Sequence, residues 1–169
     1  MKTLCGLALL AFSLGGCAGY HIGPVKPYSL RAVQSIAIPT FKNNTLIPDI
    51  SVLITDTVIS QFQQDGTYRI ASKGDADAIL KGEIERVTRA PARSVRGNVL
   101  ATAEFSLSLR LRYTLIDRAT GKVLVNPTQV FGTTTFFVGQ DVTTDERQAL
   151  PLAAQELAVQ LVSQVSEGW

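Results

Sequence analysis

Few side chains in this sequence are of a kind that does covalent chemistry, and the one in the most informative setting is a cysteine. Leu14-Gly15-Gly16-Cys17 closes a short apolar leader, Leu4 to Leu14, which follows the positively charged Lys2. A basic start, an apolar run too short to span a bilayer and small residues ahead of a cysteine form the pattern of a processed lipoprotein signal. On this reading residues 1–16 are a signal peptide that is cut away, and Cys17 becomes the first residue of the mature chain. Its sulfur then carries diacylglycerol in a thioether and its amine is acylated. Several acyl chains on one residue anchor firmly, because each buried CH2 contributes about 0.8 kcal/mol. Ala18 follows the cysteine rather than the Asp that commonly retains such proteins at the inner membrane, so the expected location is the periplasmic face of the outer membrane.

The remaining candidates for chemistry do not converge. Cys5 leaves with the leader and Cys17 is alkylated, so the mature chain has no thiol for a disulfide, a metal or a nucleophilic attack. His21 is the single histidine, and it falls in a flexible segment close to the lipid. Asp75 and Asp77 stand at a strand start without a third ligand, which fits a turn better than a metal site. Glu83 and Glu85 share a solvated strand face beside Lys81, where nothing separates their pKa values into an acid and a base. Gly121-Lys122 lacks the spacing of a phosphate loop. No enzyme activity, metal or cofactor is implied. Sixteen Lys and Arg against fourteen Asp and Glu give a net charge of +2, which argues against a general nucleic-acid binder.

One cluster stands out against that near-neutral background. Arg86, Arg89, Arg93 and Arg96 run from the end of one strand through a connection containing Pro91, and Arg110 and Arg112 occupy the polar positions of the next strand. If the two strands pair, six guanidinium groups gather, and the guanidinium fork matches phosphate bidentately. The six are candidates for binding an anionic lipid or a polysaccharide core. A solvated strand face with a mobile loop is the alternative, since exposed sheet faces normally carry charge.

These residues need elements to hold them. Residues 17–32, with Gly19, Gly23, Pro24 and Pro27, read as an irregular tether, and a single domain is expected over 33–169. Val33 to Pro39 is a short strand and Asn43-Asn44-Thr45 a loop. Ile50, Leu53, Ile54, Val58 and Phe62 recur at helical spacing after Pro48-Asp49, and Gly66 ends that helix. Thr67 to Ala71 is a further strand. Leu80, Gly82 and Ile84 share a face in the segment 76–87, where Val87 breaks the alternation at an expected bulge. From Ala101 to Leu115 apolar and polar residues alternate without interruption, so one face is buried and one is wet. Asp117 to Lys122 is a hairpin connection, Val123 to Val138 the returning strand, and Pro127 belongs at an edge or a bulge. Leu150, Ala154, Leu157, Ala158, Leu161, Val162 and Val165 form the stripe of a second helix. Thr143-x-x-Glu146 resembles a capping box for it, and Pro151, two turns further on, is expected to kink or break it.

Together these elements predict an α+β fold, with two helices packed on one face of a mainly antiparallel sheet of four to five strands. A transmembrane barrel needs at least eight strands and is excluded by counting.

Cys17-Ala18-Gly19-Tyr20-His21 after the lipobox, Ile36 to Thr45, Ala76 to Ile84, Thr120 to Val123 and the final Ala/Leu/Val helix, in this order and spacing, resemble the LptE family of lipopolysaccharide-assembly lipoproteins. The resemblance implies a non-catalytic plug inside the outer-membrane barrel LptD that assists lipopolysaccharide insertion into the outer leaflet. The implied partners are that barrel, lipopolysaccharide, and the membrane through the anchor, and of the site residues only Cys17 carries over. Ile36-Ala37-Ile38-Pro39-x-Phe41 and Ala76-Asp77-Ala78-x-Leu80-x-Gly82-x-Ile84 also resemble lipoproteins of the penicillin-binding-protein activator and curli-secretion type. The Gly-Tyr pair beside the lipid cysteine and the long hairpin favour LptE.

Overall fold

The computed structural model describes residues 26–93, 103–139 and 141–168. The strands are β1 (Ser35–Ala37), β2 (Lys42–Asn43), β3 (Arg69–Ile70), β4 (Ala78–Arg93), β5 (Ala103–Asp117) and β6 (Val123–Val138), and the helices are α1 (Ile50–Asp65) and α2 (Val142–Glu167). The strands form one sheet in the order β3-β1-β4-β5-β6, with β2 also paired to β4. The α+β class, with two helices on one sheet, is as the periodicity predicts. The sheet has six strands, however, and is mixed. β4, β5 and β6 form an antiparallel meander, while β1 pairs parallel with β3 and β4, and β2 parallel with β4.

β1 and β2 lie along the same edge of β4, opposite Ala78-Ile79 and Glu83-Ile84. Pro39, without an N–H to donate, falls between them and interrupts what would otherwise be one edge strand. The interruption places Phe41 over the sheet. A Cβ on Gly82 would lie 2.5 Å from the Phe41 ring, so only glycine admits that aromatic, and Phe41 is buried. Its N–H donates to the Thr55 hydroxyl of α1 at 3.0 Å, and that hydroxyl donates to the Ser51 carbonyl.

The alternation read in β5 is obeyed in full among the described residues. Leu107, Leu109, Leu111, Tyr113 and Leu115 are buried in a core that also takes Ile54, Val58 and Phe62 of α1 and Leu157, Leu161 and Val165 of α2. β4 follows, with a register shift between Ile84 and Arg86 where the bulge was expected. β4 is longer than the sequence suggests: it continues through Pro91 to Arg93, residues expected in a connection. Pro127 falls in a bulge of β6, where two residues separate the partners of Tyr113 and Leu115.

Both helix starts depart from simple rules. Asp49 precedes α1 in a left-handed conformation, φ 58°, and does not cap through its side chain. In α2 the cap is Asp141, whose carboxylate accepts from the N–H of Thr143 and Thr144 and from the Thr144 hydroxyl. The capping box expected at Thr143-x-x-Glu146 therefore does not form. α2 also runs unbroken through Pro151. A proline's missing N–H removes one intrahelical bond, and the burial of Ala149, Leu150, Ala153 and Ala154 around it holds the turn in place.

Packing begins ahead of Val33, inside the segment expected as tether. Leu30, in a short 3-10 turn, is buried. Lys26 donates to the Val33 carbonyl and stands 4.5 Å from the centre of the Tyr68 ring. No described helix is long and apolar enough to cross a membrane.

Candidate functional site

The helices cover one face of the sheet and leave the other uncovered, and the register decides which arginines share that uncovered face. β4 and β5 place Glu83 opposite Arg112 and Arg86 opposite Arg110, and β6 adds Gln129 opposite Arg112 and Phe131 opposite Arg110. Arg86, Arg110 and Arg112 are thus brought together. Arg89 is not: it faces Leu107 in the register, on the helix side, where it pairs with Glu146 of α2 at 2.7 Å. Its guanidinium also stands over the Phe105 ring, which in turn lies 6.2 Å from Phe136. Strand parity accounts for the split, since residues three apart in an extended chain point to opposite faces. A second register shift, between Pro91 and Arg93, returns Arg93 to the position opposite Glu104. Arg96 and Cys17 lie outside the described residues.

Arg86, Arg110 and Arg112 are not equivalent. Arg112 forms an ion pair with Glu85, and Gln129 donates to the other oxygen of that carboxylate at 2.8 Å. Glu83 is engaged as well, accepting from Lys42 at 3.0 Å and from the Asn44 amide. These two donors hold its carboxyl below the usual range, Lys42 contributing most. Arg86 and Arg110 have no ion pair among the described residues. They are direct cross-strand neighbours, and Arg110 lies over the exposed Phe131 ring, 5.2 Å from its centre. Like charges placed opposite one another across strands destabilise a sheet, and among the described residues no ion pair offsets this cost.

Of the neighbours that decide this balance, Glu85 reads in the sequence only as a solvated companion of Glu83 offset by Lys81, whereas it pairs with Arg112, and Gln129 and Phe131 carry no motif of their own. The alternation of β6 contains the signal, because Gln129 and Phe131 have the parity of Thr133 and Thr135, opposite that of buried Val130. The bulge hides Glu85 by shifting the parity where it lies. An open cavity of about 460 Å³ wraps the β4 edge where β2 ends, lined by Leu46, Ile47, Arg86, Arg89 and Glu146 among others. It makes Arg86 reachable from the edge as well as from the face.

Asp75 and Asp77 serve the fold, as the turn reading expects. Asp77 accepts from the N–H groups of Gln34 and Ser35 and from the Ser35 hydroxyl at 2.9–3.0 Å, which lowers its pKa and fixes β1 to β4. Ser72 donates to Asp75 within its turn. No group of three or more His, Cys, Asp or Glu among the described residues could hold a metal.

Fold and surface together define a two-layer α+β domain with one sheet face left open, bearing a cross-strand arginine pair beside an exposed aromatic. Comparison with curated protein sequences gives no match. Among solved structures, the minor lipoprotein of Acinetobacter baumannii is similar, with a TM-score of 0.53 and 13% identity over 79% of this chain and 93% of that one. A PelC variant from Paraburkholderia phytofirmans, solved as a dodecamer, has a TM-score of 0.53 and 18% identity over 79% of this chain and 90% of that one. At such identities the likeness is one of fold. The sequence itself matches the LptE lipopolysaccharide-assembly family over residues 33–165, and the chain belongs to that family.

Proposed function

We propose that this chain is a non-enzymatic outer-membrane lipoprotein, anchored through Cys17, that plugs an LptD-type barrel and assists lipopolysaccharide insertion. The family membership over residues 33–165 supports a role in lipopolysaccharide assembly. The observation that carries the site is the Arg86–Arg110 juxtaposition: two like charges with no carboxylate partner, one of them stacked on Phe131. A phosphate of lipid A or of the core relieves their repulsion and takes a bidentate fork from each. Arg112, neutralised by Glu85, positions that strand face more than it binds.

The test has two arms. Affinity isolation of the detergent-solubilised protein is expected to bring down one large β-barrel protein in equal amount, and depletion is expected to lower surface lipopolysaccharide. A normal surface with impaired activation of a peptidoglycan polymerase would favour the activator-type reading instead. In the second arm, Arg86→Ala with Arg110→Ala is expected to weaken lipopolysaccharide binding at least tenfold. Unchanged binding at low salt would return these arginines to a solvated surface.

A further inference from the structure

One end of the domain gathers everything that lies nearest to Cys17. β1, β3 and β4 run parallel, so their starts lie together, and the register adds the end of β5, with Asp117 opposite Ala78, and the start of β6, with Val123 opposite Ile116. Both helices finish there too, since Tyr68 donates to the Val165 carbonyl and Ser166 to Asp65. Lys26 opens the described chain at this end, nine residues after Cys17. Nine residues reach about 30 Å at full extension, whereas the sixteen residues of β4 carry the far end of the sheet about 50 Å away. An anchor at Cys17 therefore holds this end, and not the other, close to the leaflet.

The first turn at this end is firmly held, yet it presents an aromatic ring to the outside. Leu30 is buried, Lys26 donates to the Val33 carbonyl, and a Cβ on Gly168 would lie 2.9 Å from Pro27. Tyr28 of the same turn is 85% exposed, with the Arg31 guanidinium over its ring at 5.1 Å from the centre. The charges around it are unevenly served. Asp65, Asp75, Asp77, Asp117 and Glu167 each accept hydrogen bonds from hydroxyls or N–H groups of their own surroundings. Arg31, Arg69, Lys73 and Lys122 are exposed and have no ion pair among the described residues. We infer that this end of the domain rests on the phospholipid headgroups of the leaflet that holds the Cys17 anchor, with Tyr28 at the boundary of headgroups and acyl chains and Arg31, Lys73 and Lys122 against lipid phosphates.

The chemistry of each group suits that place. A tyrosine ring has an apolar body and a polar tip, and it concentrates where a bilayer meets water. Lysine and arginine lay their carbon stems along apolar surface while the charged head stays with phosphate and water. The acids of this end already have donors, so they compete little for those cations. With the contact made, β4 and β5 run away from the leaflet. Arg86 stands eight residues beyond Ala78, which sets the Arg86–Arg110 pair about 26 Å above the headgroups. The inference rests on the anchor at Cys17 and goes beyond the plug reading by naming the surface that faces the membrane.

The mature chain from Cys17 onward, coupled through the Cys17 thiol to a maleimide-bearing lipid in vesicles of phosphatidylethanolamine and phosphatidylglycerol, tests the contact separately from natural acylation. In a Trp169→Phe background, Tyr28→Trp or Phe137→Trp supplies a single fluorophore at the near or the far end, both at exposed positions. Lipids brominated high on the acyl chains are expected to quench Tyr28→Trp severalfold more than Phe137→Trp, and the emission of Tyr28→Trp is expected to shift to the blue on coupling. Adding Arg31→Ala, Lys73→Ala and Lys122→Ala is expected to remove most of that quenching with an unchanged circular dichroism spectrum. Equal, weak quenching at the two positions would overturn the inference and leave the anchor reading standing. Absence of acyl groups on Cys17 of the native protein would remove the anchor and the inference together. A blue shift of Tyr28→Trp that arises only on adding the co-isolated barrel protein would also overturn it, and would assign this end to that partner.

Discussion

Gly132 of β6 lies directly beneath Ala153 of α2: a Cβ on the glycine would stand 2.1 Å from the Ala153 carbonyl oxygen and 2.6 Å from the Leu157 Cβ. Helix backbone rests there on strand backbone. The contact explains the small residues Ala149, Ala153 and Ala154 on that stretch of α2, all buried. Because α2 reaches the sheet at this point, Pro151 can be carried inside a helix held down on both sides of it.

Gly132→Ala is therefore expected to destabilise the domain by about 2 kcal/mol or more, near the upper part of the range for overpacking. The clash is with backbone, which cannot turn aside. Gly82→Ala meets the Phe41 ring instead, a side chain that can tilt, so its cost is expected to be smaller. Urea unfolding of the two variants against wild type checks the order, and an equal loss would mean that α2 moves as easily as a ring.

The Asp77 carboxylate ties Gln34 and Ser35 to the start of β4, and the Gln34 N–H is the largest cause of its lowered pKa, followed by the Ser35 hydroxyl and N–H. A carboxyl with a folded-state pKa below its unfolded value, here 3.8, contributes stability that is complete above that value and is lost as pH falls through the folded one. Asp117, held by Thr120, and Asp141, held first by Thr144, shift in the same direction. Stability is thus expected to decline below about pH 4. Asp77→Asn is expected to lower the neutral-pH stability and flatten that acid limb. A variant with an acid limb as steep as wild type would show that Asp77 contributes nothing to it.

What the sequence shows of this fold is what rests on local periodicity. The alternation from Phe105 to Leu115 and the stripe from Ile50 to Phe62 declare their buried faces residue by residue. β1, β2 and β3 are two or three residues long, and their parallel pairing is set by where Pro39 and Asp77 bring them against β4, which no local pattern encodes. The arginine cluster was legible as composition but not as geometry. Whether Arg86 and Arg89 act together depends on strand parity and on a bulge at Glu85, and parity alone separates them. The cap of α2 is disguised in the sequence because Thr143 and Glu146 fit a motif, while Asp141 achieves the same end two residues earlier.

The Arg89–Glu146 contact is short but partly exposed, with side chains 43% and 24% accessible. Exposed ion pairs contribute between roughly 0 and 1 kcal/mol. Glu146→Gln is expected to leave thermal unfolding nearly unchanged, and any loss is expected to vanish at high salt. A large, salt-independent loss would show that the pair is a buried strut for the β4 extension.

Cys17→Ser separates the anchor from the domain. The variant is expected to leave the membrane fraction while its folded domain, which holds its own core from Leu30 onward, keeps a normal melting transition. Metabolic labelling with palmitate should be lost in parallel. Retention of the variant in the outer membrane with labelling intact would refute lipidation at this residue.

Arg86 and Arg110 provide the prediction in which stability and function move in opposite directions. Directly opposed like charges across two strands destabilise the sheet by roughly 0.2–1 kcal/mol, and neither arginine has an ion pair among the described residues. Replacing Arg86 by Gln removes that repulsion while leaving a side chain that still covers the strand. The variant is therefore expected to unfold at slightly higher urea than wild type. Its binding to lipopolysaccharide is expected to fall about tenfold, the order of one lost charge-assisted contact, and the salt dependence of what remains should weaken. Arg112→Gln is the contrast: it removes the cation of a half-exposed ion pair with Glu85, so stability is expected to fall slightly, by no more than about 1 kcal/mol, and binding to change less. A surface that only holds the fold would lose stability in both variants and binding in neither, so the sign of the Arg86→Gln effect on unfolding, set beside its effect on binding, decides what this arginine pair is for.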